Sequence, residues 1–113
     1  MEKKTVNILG TEYEILVQSE KENPKLKECS GLCEQYSKKI ILDDFENQKD
    51  DPMLVENFED FKKKVLRHEV IHAYFGEAGL RSESNFAENE ELVDWMAIML
   101  PRIFKTCNEL DIL

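Results

Sequence analysis

The residues best suited to chemistry lie in the segment His68-Glu69-Val70-Ile71-His72. Two histidines four residues apart on an α-helix lie one turn above each other, so both imidazoles can reach one metal ion. Glu69 lies about 100° around the helix axis from His68, which keeps it off that stripe but beside the ion. There its carboxylate can take a proton from zinc-bound water and pass it to a leaving amine. We therefore predict a zinc ion bound by His68 and His72, with Glu69 as general base.

The two histidines are the only ones in the chain, and they share a helix face with apolar residues. That face also carries Phe61, Val65 and Phe75, so an unpaired polar group there would be costly to bury. A packed histidine pair with satisfied hydrogen bonds is the alternative interpretation. The cost of burial favours metal binding over this alternative.

A third zinc ligand is expected from the acidic helix that follows. Glu90 and Asp94 are four residues apart and share a face. Glu90 can bind the ion, while Asp94 accepts a hydrogen bond from the far nitrogen of a ligand histidine. Glu91 points about 100° away, along a stripe with Trp95 and Ile98 that suits packing. The competing assignment, in which Glu91 binds zinc and Glu90 is solvated, stays open at this point.

The first of these helices is predicted to run from residue 51 to residue 75. Asp51-Pro52 is a good start, because Asp can cap a helix and Pro fits its first turn. Gly76 and Gly79 are expected to end it. The histidine motif therefore lies well inside a helix.

The second helix is predicted from residue 86 or 89 to residue 100, with a break or kink at Pro101 and a last short helix at 103–110. A turn at Pro101 would let the C-terminal tail reach the open zinc position with Cys107, Glu109 or Asp111 as ligand. The alternative is a tail that only packs its apolar residues.

The first third of the chain is predicted to form β-structure. Alternating apolar residues on either side of Gly10-Thr11 predict one hairpin, and a second surrounds Ser37-Lys38. Residues 20–27, which are charged and contain Pro24, predict a loop or a short irregular helix. We therefore expect an α+β fold in one domain, residues 1–113, with a small mixed or antiparallel sheet followed by two ligand-bearing helices.

Charge and composition exclude several classes of protein. The chain has 15 basic and 24 acidic residues, a net charge of −9, which argues against nucleic acid or an anionic membrane as partner. No run approaches the roughly 20 apolar residues of a membrane helix, and no signal-peptide pattern opens the chain, so we expect a cytoplasmic protein. The odd number of cysteines predicts free thiols at Cys29, Cys33 and Cys107.

The two motifs together resemble the gluzincin class of zinc peptidases. In that class HExxH is followed by a Glu on a second helix, with an Asp or Asn four residues after it. Here Glu90 follows His72 by 18 residues (90 − 72), and Asp94 follows Glu90 by four. The chain is similar in size and element order to ImmA/IrrE-type peptidases of mobile elements and to small phage- or prophage-encoded metallopeptidases. The resemblance is specific over residues 55–101.

The resemblance implies a zinc metallopeptidase in which Glu69 activates zinc-bound water. It also implies that an edge strand near Ile40 holds an extended protein or peptide substrate. Larger members add a Tyr, His or Arg that stabilises the oxyanion, for which Tyr36, Tyr74 and Arg102 are the candidates here. We expect a monomer.

Two other functions compete with this one. The first is a zinc-binding but catalytically weak interaction or regulatory protein of phage origin. The second is a wholly structural or DNA-mimicking acidic protein. Metal content separates the last from the other two, and a Glu69→Gln variant separates the peptidase from the weak binder.

Overall fold

A computed structural model describes residues 3–46, 57–81 and 84–113 of the chain. Within these residues, a four-stranded mixed sheet is followed by two long helices, which is the α+β order that the sequence predicted. A 3-10 helix occupies Pro24–Lys27, in the segment predicted as a loop or short irregular helix. The elements are β1 (Lys3–Ile8), β2 (Thr11–Gln18), β3 (Gly31–Glu34), β4 (Lys39–Asp43), α1 (Phe58–Glu77) and α2 (Glu90–Glu109).

Strands β1 and β2 form the first predicted hairpin. Leu9 and Gly10 connect them and have φ angles of 50° and 92°, the positive values that a two-residue type I′ turn requires. The side-chain oxygen of Asn7 accepts a hydrogen bond from the Gly10 N–H at 2.9 Å. The turn thus begins one residue before the predicted Gly10-Thr11.

The order of the strands across the sheet is β1-β2-β4-β3. β3 and β4 pair antiparallel, as the second predicted hairpin, whereas β2 and β4 pair parallel with Ile15 opposite Ile40. The strand that contains Ile40 is therefore interior, and the prediction of a substrate-binding edge strand there is wrong. Its run of apolar residues reflects burial between two neighbouring strands. Of the described strands, β3 is the edge on this side.

Helix α1 begins at Phe58 and ends at Glu77. The predicted start at Asp51-Pro52 lies outside the described residues. Gly79 has a φ of 79° and its N–H donates to the Gly76 carbonyl at 3.1 Å, as in a Schellman motif. Gly79 thus ends the helix as predicted, whereas Gly76 lies inside its last turn.

Helix α2 is one continuous helix with Pro101 inside it, so the predicted break and the separate helix at 103–110 are both wrong. Proline has no N–H to give to the carbonyl four residues earlier, which here belongs to Ala97. Arg67 of α1 takes that role, because its Nε donates to the Ala97 oxygen at 2.7 Å. The tertiary contact satisfies the group that proline leaves without a partner.

The continuous helix carries the C-terminal residues away from the predicted zinc site. Cys107 lies 13 residues beyond Asp94 (107 − 94) in the same helix. At about 1.5 Å per residue this is a separation of roughly 20 Å. Glu109 ends the helix and Asp111 follows it, farther still. The prediction that Cys107, Glu109 or Asp111 reaches the open zinc position is therefore wrong.

Helix α1 packs between the sheet and α2. The cluster between α1 and the sheet is centred on Tyr13, Ile40 and Ala73. The cluster between the helices joins Ile71 to Val93 and Ala97, and the fully buried Ala97 lets the helices approach closely. Neither helix is both long and apolar enough to cross a membrane, among the residues that could be searched.

The outer face of α2 departs from prediction. Trp95 and Ile98, expected to form a packing stripe, are 53% and 43% exposed. The helix turns Val93 and Ala97 toward α1 instead, so the stripe with Glu91 faces solvent.

Candidate metal centre

The two histidines lie on the face of α1 that meets α2. Their ring centroids are 5.0 Å apart, as expected for residues one helical turn apart. The His72 side chain is almost fully buried, and that of His68 is 12% exposed. Both Nε2 atoms point across the helix interface.

Glu90, the first residue of α2, meets both rings. Its two carboxylate oxygens lie 2.9 Å from the His68 Nε2 and 2.8 Å from the His72 Nε2. Asn89 fixes this end of the helix, since its side-chain oxygen accepts a hydrogen bond from the Leu92 N–H at 2.7 Å. Glu91, the competing ligand, is exposed. Ligand atoms of His68, His72 and Glu90 all lie within 4.8 Å of one another.

Asp94 contacts the far side of the His68 ring, the place predicted for it. Its Oδ1 lies 3.2 Å from the His68 Nδ1 and accepts a hydrogen bond from the Lys64 Nζ at 3.0 Å. Burial raises the pKa of Asp94, but the hydrogen bonds from Lys64 and His68 outweigh burial and lower the pKa below its ordinary value. Asp94 is therefore an anion that holds the Nδ1–H of His68 and directs Nε2 at Glu90.

The donor set suits a cation. If the His68 Nδ1–H donates a hydrogen bond to Asp94, the Nε2 of the neutral ring carries a lone pair that faces an oxygen of Glu90, and both groups are acceptors. Either a second proton on the ring or a metal ion resolves this conflict. Two imidazoles and a carboxylate form a typical zinc donor set, with ligand atoms about 3.3–3.6 Å apart around a tetrahedral ion. The observed contacts of 2.8 and 2.9 Å are shorter than this, and all the ligand atoms lie within 4.8 Å of one another, so side-chain shifts of about an ångström would bring them to these separations.

His72 is set up to stay neutral. Burial lowers the pKa of its ring, and the nearby Glu90 carboxylate offsets only part of that effect. Its Nδ1 is buried and has no hydrogen-bond partner within the described part of the chain. A neutral ring keeps one nitrogen lone pair for a metal ion.

Glu69 lies beside this cluster on the sheet-facing side of α1. The residue is 7% exposed, and its carboxyl group receives no hydrogen bond from residues 3–46, 57–81 or 84–113. Burial raises the pKa of Glu69 to about 7, which the charge of His68 counteracts and that of Glu90 reinforces. A carboxyl group with such a pKa can both accept and return a proton near neutral pH.

A cleft of about 240 Å³ opens over these groups. Its walls are α1, the first turn of α2, and the segment Cys29-Ser30-Gly31 that leads into β3. A side chain at Gly31 would lie 3.2 Å from both the Ile41 carbonyl and the Val65 side chain. Glycine therefore lets the edge strand pass close to the face of α1 that carries Val65.

Two residues were not predicted from the sequence: Lys64, which lines the cleft, and Arg81, which lies outside it on the edge strand β3. Lys64 lies four residues before His68, and this i, i+4 spacing was the available signal for its place beside Asp94. Arg81 donates to the Cys33 carbonyl at 3.2 Å and to Glu88 at 2.6 Å, and no local pattern indicated either contact.

The three residues considered for oxyanion stabilisation do not line the cleft. Tyr36 is 93% exposed, and Tyr74 is 45% exposed on the outer side of α1. Arg102 lies at the far end of the helix pair, beside Pro101.

All three cysteines are free thiols, as predicted. Cys29 borders the cleft and Cys33 is buried in β3, whereas Cys107 lies far along α2. A search of protein-family models, curated proteins and solved structures finds no match to this chain.

Proposed function

We propose that the protein is a zinc-dependent metallopeptidase with a minimal zincin-type arrangement. The observation that supports it best is the convergence of His68, His72 and Glu90 on one point, with buried Glu69 in the same cleft. Two helices supply the three ligand atoms, and Asp94 orients one of them. Such a cluster of perturbed titratable groups in a cleft is typical of a catalytic site.

A zinc ion held by these residues would polarise a peptide carbonyl and make water a stronger nucleophile. Glu69 would accept the proton of the attacking water and donate it to the leaving amine. Its burial matches this role, since a carboxyl group with a pKa of about 7 exchanges protons readily at neutral pH. His68 would stay in one orientation because Asp94 holds its Nδ1–H.

The edge of β3 offers a place for an extended peptide. The Ser30 carbonyl accepts from the Asp43 N–H, so Ser30 points toward β4 and Gly31 points away from it. A substrate strand can therefore pair with the backbone of Gly31 directly above the cleft. Arg81 already occupies the Cys33 carbonyl, which limits this pairing to the start of the strand.

A zinc-binding protein with weak catalysis is the second candidate function. It is favoured by the cleft lining, in which the described residues include no Tyr and no Arg. The cation there is Lys64, which Asp94 already holds at 3.0 Å. Without a donor for the oxyanion, hydrolysis would lose a contribution worth about 10²–10³-fold in rate.

The test combines metal analysis with digestion of an unbiased peptide library by the purified full chain. We expect about one zinc per chain and cleavage that a Glu69→Gln variant reduces at least ~100-fold while keeping its zinc. Zinc binding without cleavage in the wild type would select the second candidate. A chain without zinc would exclude both.

Ligand identity is tested by comparing Glu90→Gln with its neighbour Glu91→Gln. Both carboxylates are exposed, but Glu90 contacts both histidines and Glu91 contacts neither in the described part of the chain, so only Glu90→Gln is expected to lose zinc. The matched pair has the same change of charge at adjacent positions. Loss of zinc in Glu91→Gln alone would overturn the assignment, including the role given to Asp94.

A further inference from the structure

The cationic side chains of this acidic chain are concentrated on two stretches of helix. Residues 60–67 of α1 and 98–105 of α2 contain six of the 15 basic residues and one of the 24 acidic residues. The rest of the chain has nine basic residues (15 − 6) and 23 acidic ones (24 − 1). An excess of positive charge that is this local, in an otherwise negative protein, indicates a surface for a negatively charged partner.

A crevice lies between these two stretches. Ala97 is the last buried residue of α2, and beyond it the crevice has a volume of about 360 Å³. Ile98 and Pro101 are its apolar lining residues. Cationic side chains make up most of the rest of the lining, namely Lys63, Lys64, Arg67 and Arg102. The crevice thus places positive charge next to an apolar surface, which suits a ligand side chain with methylene groups and a charged end.

The positive charge of the crevice is not neutralised by the described part of the chain. Lys63 and Arg102 are exposed and have no carboxylate partner among residues 3–46, 57–81 and 84–113. Arg67 uses its Nε for the Ala97 carbonyl, which leaves the donors of its two Nη groups. The described lining offers one carboxylate, that of Asp60, against four cations. Several N–H donors therefore remain for a ligand.

The crevice continues the cleft of the metal centre, because Lys64 lines both. Lys64 lies one helical turn before His68, and its Nζ donates to Asp94 at 3.0 Å. Asp94 in turn contacts the His68 ring, so the two cavities meet at this ion pair. A peptide that pairs with Gly31 above the cleft can therefore run past Lys64 into the crevice.

We propose that the crevice binds an acidic segment of the peptide that the metal centre cleaves. The link to cleavage rests on the proposed function, whereas binding in the crevice does not depend on it. Along the helices, Lys63 lies about 8 Å from the level of His68, and Arg102 lies about 18 Å from Glu90. At about 3.3 Å per residue of extended chain, these distances correspond to roughly two to five residues. We therefore expect Asp or Glu roughly two to five positions from the cleaved bond, on one side of it.

A short acidic peptide suits this surface better than a nucleic acid does. Phosphates recur along the whole length of a nucleic acid, so extended binding would bring them against the acidic remainder of the chain. A peptide needs to place only a few carboxylates near the cations. Arg102 can bind a carboxylate through two parallel N–H bonds, and the methylene groups of a Glu side chain can pack on Ile98 and Pro101.

Fluorescence anisotropy tests the binding with a labelled octapeptide of alternating Gly and Glu and with its Gly-Gln counterpart. The full chain carries Glu69→Gln, so that it does not consume the peptide. We expect the Glu peptide to bind at least ~10-fold more tightly than the Gln peptide, and less tightly as salt rises. Lys63→Glu combined with Arg102→Glu is expected to lower the affinity for the Glu peptide at least ~10-fold. Lys4→Glu combined with Lys21→Glu makes the same change of charge at exposed positions in β1 and after β2, and is expected to lower it less than about threefold.

The outcomes separate the crevice from the proposed peptidase activity. Equal affinity for the Glu and Gln peptides, or equal effects of the two double variants, would overturn the crevice as a binding site. Tighter binding of a single-stranded oligonucleotide with the same number of negative charges would overturn a peptide as its ligand. Binding of the Glu peptide by a chain that holds no zinc and cleaves nothing would support the crevice and overturn the proposed function alone. Cleavage of library peptides without enrichment of Asp or Glu near the cleaved bond would overturn the role of the crevice in substrate choice.

Discussion

At the residue scale, each nitrogen of His68 has its own carboxylate. Glu90 faces Nε2 and Asp94 faces Nδ1, so one ring contacts two residues of α2 separated by one turn. The i, i+4 spacing that brings His68 and His72 together on α1 thus recurs on α2. Two such i, i+4 pairs meet in this cluster, and for this reason the sequence could predict that the four residues lie together.

Asp94→Asn tests the orienting role. The amide keeps an acceptor oxygen for the His68 Nδ1–H but loses the charge that Lys64 and His68 now share. We expect zinc affinity to fall about 10- to 100-fold while the fold is retained. Competition with a chelating dye measures the affinity, with Glu91→Gln as the control. An unchanged affinity would contradict an orienting role for Asp94.

The sequence predicted the four clustered residues better than it predicted the residues around them. His68, His72, Glu90 and Asp94 follow from helical periodicity, which is a local property. The contacts of Arg81 join residues 48 positions apart, and no local pattern encodes them. A side chain that bonds to the backbone of a distant strand can be predicted only when the arrangement of the strands is known.

At the element scale, the errors in prediction have tertiary causes. The resemblance implied an edge strand near Ile40, and the hairpin pattern indicated only β3 as its neighbour. The second neighbour comes from the parallel pairing with β2, which no local pattern shows. Pro101 was expected to break α2 because proline leaves the carbonyl four residues earlier without a donor from its own helix. Arg67, on another helix, supplies the missing donor.

The contact between Arg67 and Ala97 can be tested by a double-mutant cycle. Arg67→Met leaves the Ala97 carbonyl without a donor and is expected to cost about 1–3 kcal/mol in the free energy of unfolding. In a Pro101→Ala background the N–H of residue 101 bonds to that carbonyl, so the same change is expected to cost under ~0.5 kcal/mol. Urea denaturation at one fixed protein concentration gives the four values. Equal costs in the two backgrounds would contradict the compensation.

The end of α1 is tied to the sheet by Glu77. This acidic residue at a helix C-terminus is unfavourable for the helix dipole. Its carboxylate compensates by accepting hydrogen bonds from Tyr13 at 2.6 Å, Lys38 at 2.7 Å and Thr11 at 2.9 Å. These bonds, led by the one from Lys38, lower the pKa of Glu77 from 4.5 to about 2. The charged carboxylate therefore stabilises the fold.

Glu77→Gln is expected to lower the free energy of unfolding by about 2 kcal/mol at pH 7. A depressed pKa in the folded state stabilises above the ordinary value of 4.5, and this stability is lost as pH falls toward 2. The difference between wild type and variant should accordingly shrink between pH 5 and pH 2. Denaturation at several pH values measures it, with the exposed Glu59→Gln as control. A difference that is independent of pH would contradict the role of the charge.

At the scale of the whole molecule, α1 is the centre and α2 is the less firmly held part. The sheet packs on one side of α1 around the buried Tyr13 and Ile40. On the other side, the described contacts with α2 are a small cluster around Val93 and Ala97 and the polar groups of the site. A metal ion bound by residues of both helices would therefore link α1 to α2 and stabilise the weaker of the two interfaces.

Removal of zinc is accordingly expected to lower the melting temperature and to loosen α2 first. A ligand at about 100 times its Kd stabilises by ~2.7 kcal/mol. For a domain of this size that corresponds to a shift of about 10 °C. Hydrogen exchange should rise in the first three turns of α2 on chelation and stay unchanged in β2 and β4. Glu90→Gln is the control, because it lacks a ligand and should respond to chelator in neither measurement. An unchanged melting temperature in the wild type, or equal effects of the chelator on both proteins, would contradict the proposal that the metal ion stabilises the interface between α1 and α2.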